Sequence, residues 1–406
     1  LSKIPAIWLN RIYKIKEFVM KKIIIALLVS LLALTAFASN EADSADKTTI
    51  VYWSMWNEGE PQATVIKEAV ADFETDNPEY KVEISWNGRD TKKLLVPAFE
   101  AGEAIDVFDF ATADVVPLYS LPVGDRLDAP AVGEAGKTLN DTLITAFIEN
   151  EKANFDGTLY GVPYQPWAVL VWYNMDHFAD AGITDTPDTW AEFMDVCAKL
   201  KAAGHEPFTT DPDAYLDIVF GSYAQRAFGG KTGLTDAAAD KTGESWKDPK
   251  WLQMARDYYE LHQKGYLAEG TEGFLFPQSQ QAVALGDITM CVNGTWLPSE
   301  VADTAGPEFK WGAFPFPIPE GGLGKPGDLQ MGSQIMSIYK DSKNIDAAFT
   351  FITYVVSKKA QAAFVDIASV PAIHKTVNWS GPIAGAQNAV QNAEMAFSWA
   401  YGYYDT

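Results

Sequence analysis

The sequence predicts an α/β protein whose mainly parallel sheet carries helices on its faces. Two observations lead to this prediction. Apolar residues make up 48% of the 406 residues, which is typical of a chain that forms a globular core. Between residues 47 and 110, runs of β-branched and aromatic residues alternate with stretches in which apolar residues recur at helical spacing. This strand-helix-strand-helix-strand order is typical of parallel sheets covered by helices.

The elements of this first block can be assigned in order. We predict strands at residues 49–53, 82–86 and 106–110, a helix at 92–101, and a helix that carries Val65, Ile66, Ala69, Val70 and Phe73. The latter follows a turn at residues 57–59 and ends before Asn77-Pro78, because proline cannot continue a helix. Ligands of such sheets lie beyond the carboxyl ends of the strands. These ends are residues 53–57, 86–90 and 109–113.

A second region follows the loop at residues 121–136, which proline and glycine mark. Thr189-Trp190-Ala191-Glu192 has the form of a capping box, and the apolar residues after it lie on one helix face up to Gly204. Later elements follow the same alternation: a helix at 249–264, a strand at 288–292, a Pro/Gly connector at 315–322, a strand at 334–339, and a helix with Ala348, Phe351, Ile352 and Val355.

The chain also carries the pattern of an export signal. From Met20 a basic start, an apolar run and a small-residue motif follow one another: Lys21 and Lys22, residues 23–34, and Ala36-Phe37-Ala38. We expect cleavage after Ala38 and interpret residues 1–19 as an upstream extension. The apolar run is too short to cross about 30 Å of hydrocarbon as a helix.

Charge and aromatic content bound the choice of partner. The chain has 31 Lys and Arg against 54 Asp and Glu, which gives a formal net charge of −23. This balance disfavours nucleic acid and anionic membranes, because both attract clustered positive charge. The chain also has 13 Trp, 17 Tyr and 22 Phe. We therefore expect an uncharged ligand and no nucleic-acid partner.

Cysteine and histidine are sparse. The two cysteines are Cys197, on the apolar stripe of a predicted helix, and Cys291, inside a predicted strand. We expect both to be buried as small hydrophobic residues, with a disulfide as the alternative that export permits. The four histidines show no metal-ligand spacing, so we expect no metal site and no cofactor.

Several stretches taken together resemble a known family. They are residues 49–53 (TIVYW), 106–108 (DVF), 159–164 (LYGVPY), 172–176 (WYNMD) with 181–183 (AGI) and Thr189-Trp190, 293–296 (NGTW), and 332–338. In this order, behind an export signal, they resemble extracellular solute-binding proteins of bacterial ABC importers. The resemblance is to the carbohydrate-binding group, family 1, to which maltose-binding protein belongs, and it covers residues 47–404.

The resemblance implies a two-lobe periplasmic-binding-protein fold with a hinge that the chain crosses more than once. Lobe one would comprise residues 47–164 and 328–372, and lobe two residues 165–327 and 373–406. The crossings would lie near 164–167, 327–332 and 372–376. The implied function is capture of a sugar or oligosaccharide by hinge closure and delivery to the membrane permease of an ABC transporter. We expect a monomer in the periplasm or at the cell surface.

A sugar site needs flat aromatic faces and hydrogen-bonding side chains. On the family's pattern the candidate ligand-binding residues are Trp56, Asn57, Glu58, Arg89, Asp90, Asp109, Tyr164, Gln165, Trp167, Asn293, Trp296, Gln330, Met331, Gly332, Trp399 and Tyr401. Trp296 would be the main stacking aromatic and Trp399 a second one; core or surface packing is the alternative for each. The polar candidates could instead lie in a solvated turn or in ion pairs.

A secreted glycoside hydrolase is the alternative function. Such an enzyme needs two carboxylates about 5–9.5 Å apart, and Glu58, Asp90 and Asp109 could supply a pair. The sequence has no glycosidase signature, no Gly-x-Ser-x-Gly elbow and no phosphate-binding loop. We therefore expect binding without catalysis.

Overall fold

The computed structural model describes residues 47–111, 117–230, 232–393 and 395–397. The expected export signal and the candidates Trp399 and Tyr401 lie outside the described residues. The chain divides into two compact units. The described residues of the first are 47–49 and 77–81, where the Thr48 amide donates to the Glu79 carbonyl at 2.9 Å. The second comprises residues 50–76 and the described residues from 82 onward.

The first block has the predicted order. Its elements are β1 (Thr48–Ser54), α1 (Pro61–Asp76), β2 (Tyr80–Trp86), α2 (Thr91–Ala101) and β3 (Val107–Ala111). Helix α1 buries one face, formed by Ala63, Val65, Ile66, Ala69 and Phe73. Four of these five residues belong to the set from which the helix was predicted, and the fifth predicted residue, Val70, is half-buried.

The middle of the chain contains most of the helices. Its elements are α3 (Leu139–Thr142), α4 (Thr145–Asn154), β4 (Val162–Asn174), α5 (Met175–Asp180), α6 (Trp190–Ala203), β5 (Glu206–Thr209), α7 (Leu216–Phe228), α8 (Thr232–Ala239), α9 (Pro249–Gln263), α10 (Gln278–Leu285) and β6 (Ile288–Gly294). The predicted capping box is confirmed. The Glu192 amide donates to the Thr189 hydroxyl at 3.3 Å, and the Thr189 amide donates to the Glu192 carboxylate at 2.9 Å.

The last elements return to the sheet. They are α11 (Leu297–Glu300), α12 (Ala302–Ala305), β7 (Trp311–Phe314), β8 (Asp328–Ile338), α13 (Ile345–Val355), α14 (Lys358–Ala368), α15 (Gln387–Gln391) and β9 (Met395–Phe397). Strand β8 begins well before the predicted strand at residues 334–339, so Gly332 lies inside a strand.

Within the described residues, nine strands form one sheet of mixed direction. Its order is β2-β1-β3-β8-β4-β6-β5, with β7 paired to β4 and β9 paired to β8. The pairs β1/β3, β5/β6 and β8/β9 are parallel, whereas β4 and β8 are antiparallel to each other, β8 to β3, and β4 to β6 and β7. The prediction of a mainly parallel sheet is therefore wrong, because it did not count β4 as a strand and read only the end of β8 as one.

The register of the long strands brings two sets of strand ends together. Gln334 of β8 lies opposite both Ala111, the last residue of β3, and Gln165 of β4. On the other side of β4, Val169 lies opposite Gly294, the last residue of β6. Strands β3 and β6 run in opposite directions, so their carboxyl ends face each other across residues 165–169 of β4. Ligands of α/β sheets bind outside such ends.

Both cysteines are buried and free, as predicted, and the alternative of a disulfide between them is excluded. Burial raises the pKa of both thiols. In the described part of the chain, no helix combines the length and apolar character needed to cross a membrane.

Candidate functional site

The facing strand ends carry a set of amide side chains on one face of the sheet. Gln165 and Trp167 of β4 lie opposite Gln334 and Gly332 of β8, and residues directly opposite in an antiparallel pair share a face. The buried Oε1 atoms of Gln165 and Gln334 have no hydrogen-bond partner among the described residues, and neither has the Nε2 of Gln330. Buried amides without partners are rare, so these three groups are free to bond a ligand.

Two tryptophans lie against the backbone at the same place. The Trp167 indole covers Gly332, where an added Cβ would collide with its Cζ2 atom, and the Trp296 indole covers Gly294 in the same way. Glycine is therefore required at both positions, because any side chain would displace a ring. The two indoles meet edge to face, with ring centroids 6.3 Å apart and an interplanar angle of 61°.

Two further rings extend this pair into a line. The Trp296 indole N–H donates to the Tyr215 hydroxyl at 3.2 Å, and the Tyr215 ring meets Phe276 edge to face at 5.5 Å. Burial raises the pKa of Tyr215 to about 12, and the nearby Glu300 carboxylate adds to the effect. Trp167, Trp296 and Tyr215 are half-buried, and Phe276 is 46% exposed. We call these four residues the aromatic row.

A buried hydrogen-bond network holds the Trp56 side chain in position. Asp109 is fully buried; it accepts from the Met55 amide at 2.7 Å and from the Tyr164 hydroxyl at 2.5 Å. The same hydroxyl accepts from the Trp56 indole N–H at 2.7 Å. Desolvation raises the pKa of Asp109 to about 6, although the two donated hydrogen bonds oppose the shift. Asp109 and Tyr164 thus hold Trp56 in position from the interior.

Arg89 covers the other side of Trp56. Its guanidinium lies 4.5 Å from the centre of the Trp56 ring, donates to the Met55 carbonyl at 2.7 Å and pairs with Glu60 at 3.0 Å. Asn57 donates to the same Glu60 carboxylate from its amide and its side chain. By contrast, Glu58 and Asp90 form exposed ion pairs with Lys67 and Lys93, and such pairs contribute little to stability.

The remaining candidates support the strand ends. Asn293 is fully buried; its side chain donates to Gln280 at 3.1 Å and accepts from the Gly294 amide at 2.7 Å, which shapes the turn before Trp296. Met331 is fully buried, and the Gln330 Oε1 accepts from the Ser222 hydroxyl at 3.1 Å. In the described ranges, no group of three or more His, Cys, Asp and Glu residues could hold a metal ion.

Sequence reasoning missed four residues of this region: Glu60, Tyr215, Phe276 and Gln334. Glu60 follows Asn57 by three residues, the spacing at which a carboxylate bonds back to the start of a turn, so local pattern could have found it. Gln334 was placed in a strand but not in the site. Tyr215 and Phe276 reach Trp296 only through the packing of distant elements.

Comparison with known proteins identifies the family. The model of the bacterial extracellular solute-binding protein family matches residues 56–362. This chain belongs to that family. It is 24% identical to the multiple sugar-binding protein of Streptococcus mutans over 376 residues; this alignment covers 88% of this chain and 83% of the relative. It is 26% identical over 331 residues to the diacetylchitobiose binding protein DasA of Streptomyces coelicolor, over 78% of this chain and 71% of the relative.

The fold agrees with this membership. The structure of the sugar-binding protein MalE from Xanthomonas citri matches with a TM-score of 0.66 and 22% identity, over 86% of each chain. The predicted periplasmic-binding-protein fold is thereby confirmed. Members of the family are extracytoplasmic binding proteins, so this solute-binding protein binds its ligand without catalysis, and the glycoside hydrolase alternative is set aside.

Proposed function

We propose that this solute-binding protein captures a neutral sugar or oligosaccharide at the aromatic row. The observation that carries the proposal is the combination of half-buried rings with two buried amide oxygens that have no partner among the described residues, the Oε1 atoms of Gln165 and Gln334, at the facing strand ends. The rings suit the apolar C–H faces of a pyranose, and the amides can donate to and accept from its hydroxyls. The curated relatives named for sugars support the same ligand class.

The magnitudes are sufficient for useful affinity. A neutral hydrogen bond contributes about 0.5–1.5 kcal/mol, and an aromatic contact adds about 0.5–1.5 kcal/mol beyond burial of its area. Micromolar binding requires about 8 kcal/mol. Two aromatic contacts, several hydrogen bonds to side-chain amides and the burial of the sugar's apolar faces together reach this value. The net charge of −23 further favours a neutral ligand over an anionic one.

We further propose that binding closes two lobes, residues 47–164 with 328–372 and residues 165–327 with 373–406. Support comes from β4, whose first part pairs with β8 and whose last part pairs with β6 and β7. A ligand favours the closed form only by its difference in affinity for the two forms. Changing the ratio from 1:99 to 99:1 needs about 5.5 kcal/mol, which a few contacts from the second lobe supply.

The remaining candidate residues take two roles in this proposal. Trp56 is buried beneath Arg89, so lobe one would offer its polar contacts through Arg89 and Asn57. Asp109 and Tyr164 would hold Trp56 in place beneath them, and Asn293 would position Trp296 in lobe two. The closed protein would deliver its sugar, as a monomer, to the permease of an ABC transporter. The protein would be exported, and its signal peptide would be cleaved after Ala38, in keeping with the extracellular location named for the family.

A ligand screen tests the proposed function. Thermal unfolding of the mature protein is measured against neutral monosaccharides and oligosaccharides, with glycerol phosphate as an anionic control. A ligand at 100 times its dissociation constant adds about 2.7 kcal/mol of stability, so a true ligand raises the melting temperature in a saturable manner. Chromatography should then return the sugar intact. Stabilisation by glycerol phosphate alone, or shortened saccharides after incubation, would contradict the proposal.

A further inference from the structure

A cavity of about 210 Å³ lies in the core formed by β4, β5, α6, α7 and α9. Thirteen side chains line it, all of them apolar or aromatic, among them Val171, Phe193, Val219 and Phe316. None of the four residues of the aromatic row lines the cavity. On strand β4, the buried Val169 lies between Val171 in the cavity wall and Trp167 in the aromatic row. The cavity is therefore separate from the proposed sugar site.

Water is a poor occupant of this space. A buried water needs two to four polar partners, and the walls offer almost none. The Tyr223 hydroxyl is already bonded to Asp257 at 2.5 Å. The other polar side-chain atoms of the walls are the Tyr258 hydroxyl and the indole N–H of Trp190, which is buried and has no partner among the described residues. An apolar cavity of about 150 Å³ stays dry and binds benzene or xenon. This cavity is larger, so a ring of that size fits.

The cavity has an opening to solvent between α7 and α9. Leu216, at the start of α7, is 39% exposed, and Ala255 on α9 is also exposed. Phe220, Met254 and Tyr258, from the same two helices, also line the cavity and are half-buried. A small molecule can thus reach the interior by displacing side chains at the opening, without unfolding either helix.

We propose that this cavity is a second binding site, which takes a small neutral apolar molecule of one or two rings. Transfer of an apolar molecule from water into the apolar cavity is favourable. The bound molecule also makes van der Waals contacts with wall atoms that have no neighbour on the cavity side. Sugars are excluded, because their hydroxyls would lose water without finding partners.

Benzene and indole serve as probes in a thermal-unfolding titration of the mature protein. Wild type should show a saturable rise in melting temperature with either probe. Val219→Phe fills the cavity from α7, so it should keep or raise the melting temperature and abolish the response. Val196→Phe is the matched control: Val196 belongs to the same core but not to the cavity wall, so the same change should overpack the core and lower the melting temperature.

A second variant provides an independent test in case Val219→Phe does not fold. Ala255→Phe places a ring at the exposed opening, where folding tolerates it, and should weaken probe binding at least tenfold. Sugar affinity should be unchanged in both variants. A wild-type protein with no saturable response, or a response that survives both Val219→Phe and Ala255→Phe, overturns the proposal, and neither result bears on sugar binding.

Discussion

Replacing Trp296 by alanine removes the central ring of the aromatic row. In the structure this indole covers Gly294, meets Trp167 at 6.3 Å and donates to Tyr215 at 3.2 Å. The substitution therefore deletes one stacking face and frees the Trp167 and Tyr215 rings to move. It leaves the buried amides of Gln165 and Gln334 in place.

The size of the effect follows from these contacts. Loss of a sugar-stacking face removes about 0.5–1.5 kcal/mol beyond area, and truncation of a central aromatic anchor totals about 2–4 kcal/mol. At 1.4 kcal/mol per tenfold, the dissociation constant should rise by about 30- to 700-fold. Folding stability should fall by only about 1–3 kcal/mol, because the ring is half-buried.

Calorimetric titration with sugar and thermal unfolding without it separate the two effects. Trp311→Ala is the matched control, because Trp311 is buried against Trp172 outside the proposed site. It should lose about 3–5 kcal/mol of stability and keep its affinity. Trp246, which is 45% exposed, should tolerate alanine in both assays. A large loss of stability with near-normal affinity in Trp296→Ala would refute the assignment of Trp296 to the site.

Four further predictions test other parts of the structure. Phe276→Ala should weaken binding of a long oligosaccharide more than tenfold and leave a monosaccharide unaffected in calorimetry, because Phe276 is the exposed end of the row. Gly332→Ala should weaken the binding of every sugar ligand, because the added methyl group displaces the Trp167 indole; an affinity equal to that of the wild type would contradict that contact. Burial raises the pKa of Asp109 from 3.8 to about 6, so its ionised form destabilises the fold by about 3 kcal/mol above pH 6 and this cost disappears as the pH falls toward 4. The free energy of unfolding of the wild type, measured with denaturant and compared with that of Asp109→Asn, should therefore rise as the pH falls from 6 to 4. A difference that stays constant over this range would refute the raised pKa. N-terminal sequencing of the secreted protein should begin at Ser39, whereas a retained Met20 would show that the signal is not cleaved.

The first three strands of the sheet and the helices between them could be predicted closely from sequence. Strands β1 to β3 and helices α1 and α2 have local patterns that agree with their tertiary positions, so periodicity was enough to place them. The capping box at Thr189 was also readable, because it depends on residues three positions apart.

The two long strands could not be predicted in the same way. Pro163 and Pro166 lie in β4 and Gly332 lies in β8, and both residue types disfavour the interior of a sheet. The structure accommodates the prolines with a register shift between Pro163 and Gln165, and it uses the missing side chain of Gly332 to seat Trp167. Local residue preferences therefore failed to predict these strands in the segments that carry the candidate site.

The candidate site was partly predictable for a related reason. Trp296 and Trp167 follow from the family's pattern, and the structure brings them together. Tyr215 and Phe276 carry no local signal, since their relation to Trp296 arises from packing between residues far apart in sequence. Asp109 could be placed at a strand end, but only the fold reveals that it bonds inward to Tyr164 and Met55.

The most direct test of sugar capture is a crystal structure of the mature protein with the sugar that stabilises it most. We predict a pyranose ring against Trp296 and Trp167, with its hydroxyls hydrogen-bonded to the side-chain amides of Gln165 and Gln334. A sugar bound away from these residues, with the amides still unpartnered, would contradict it.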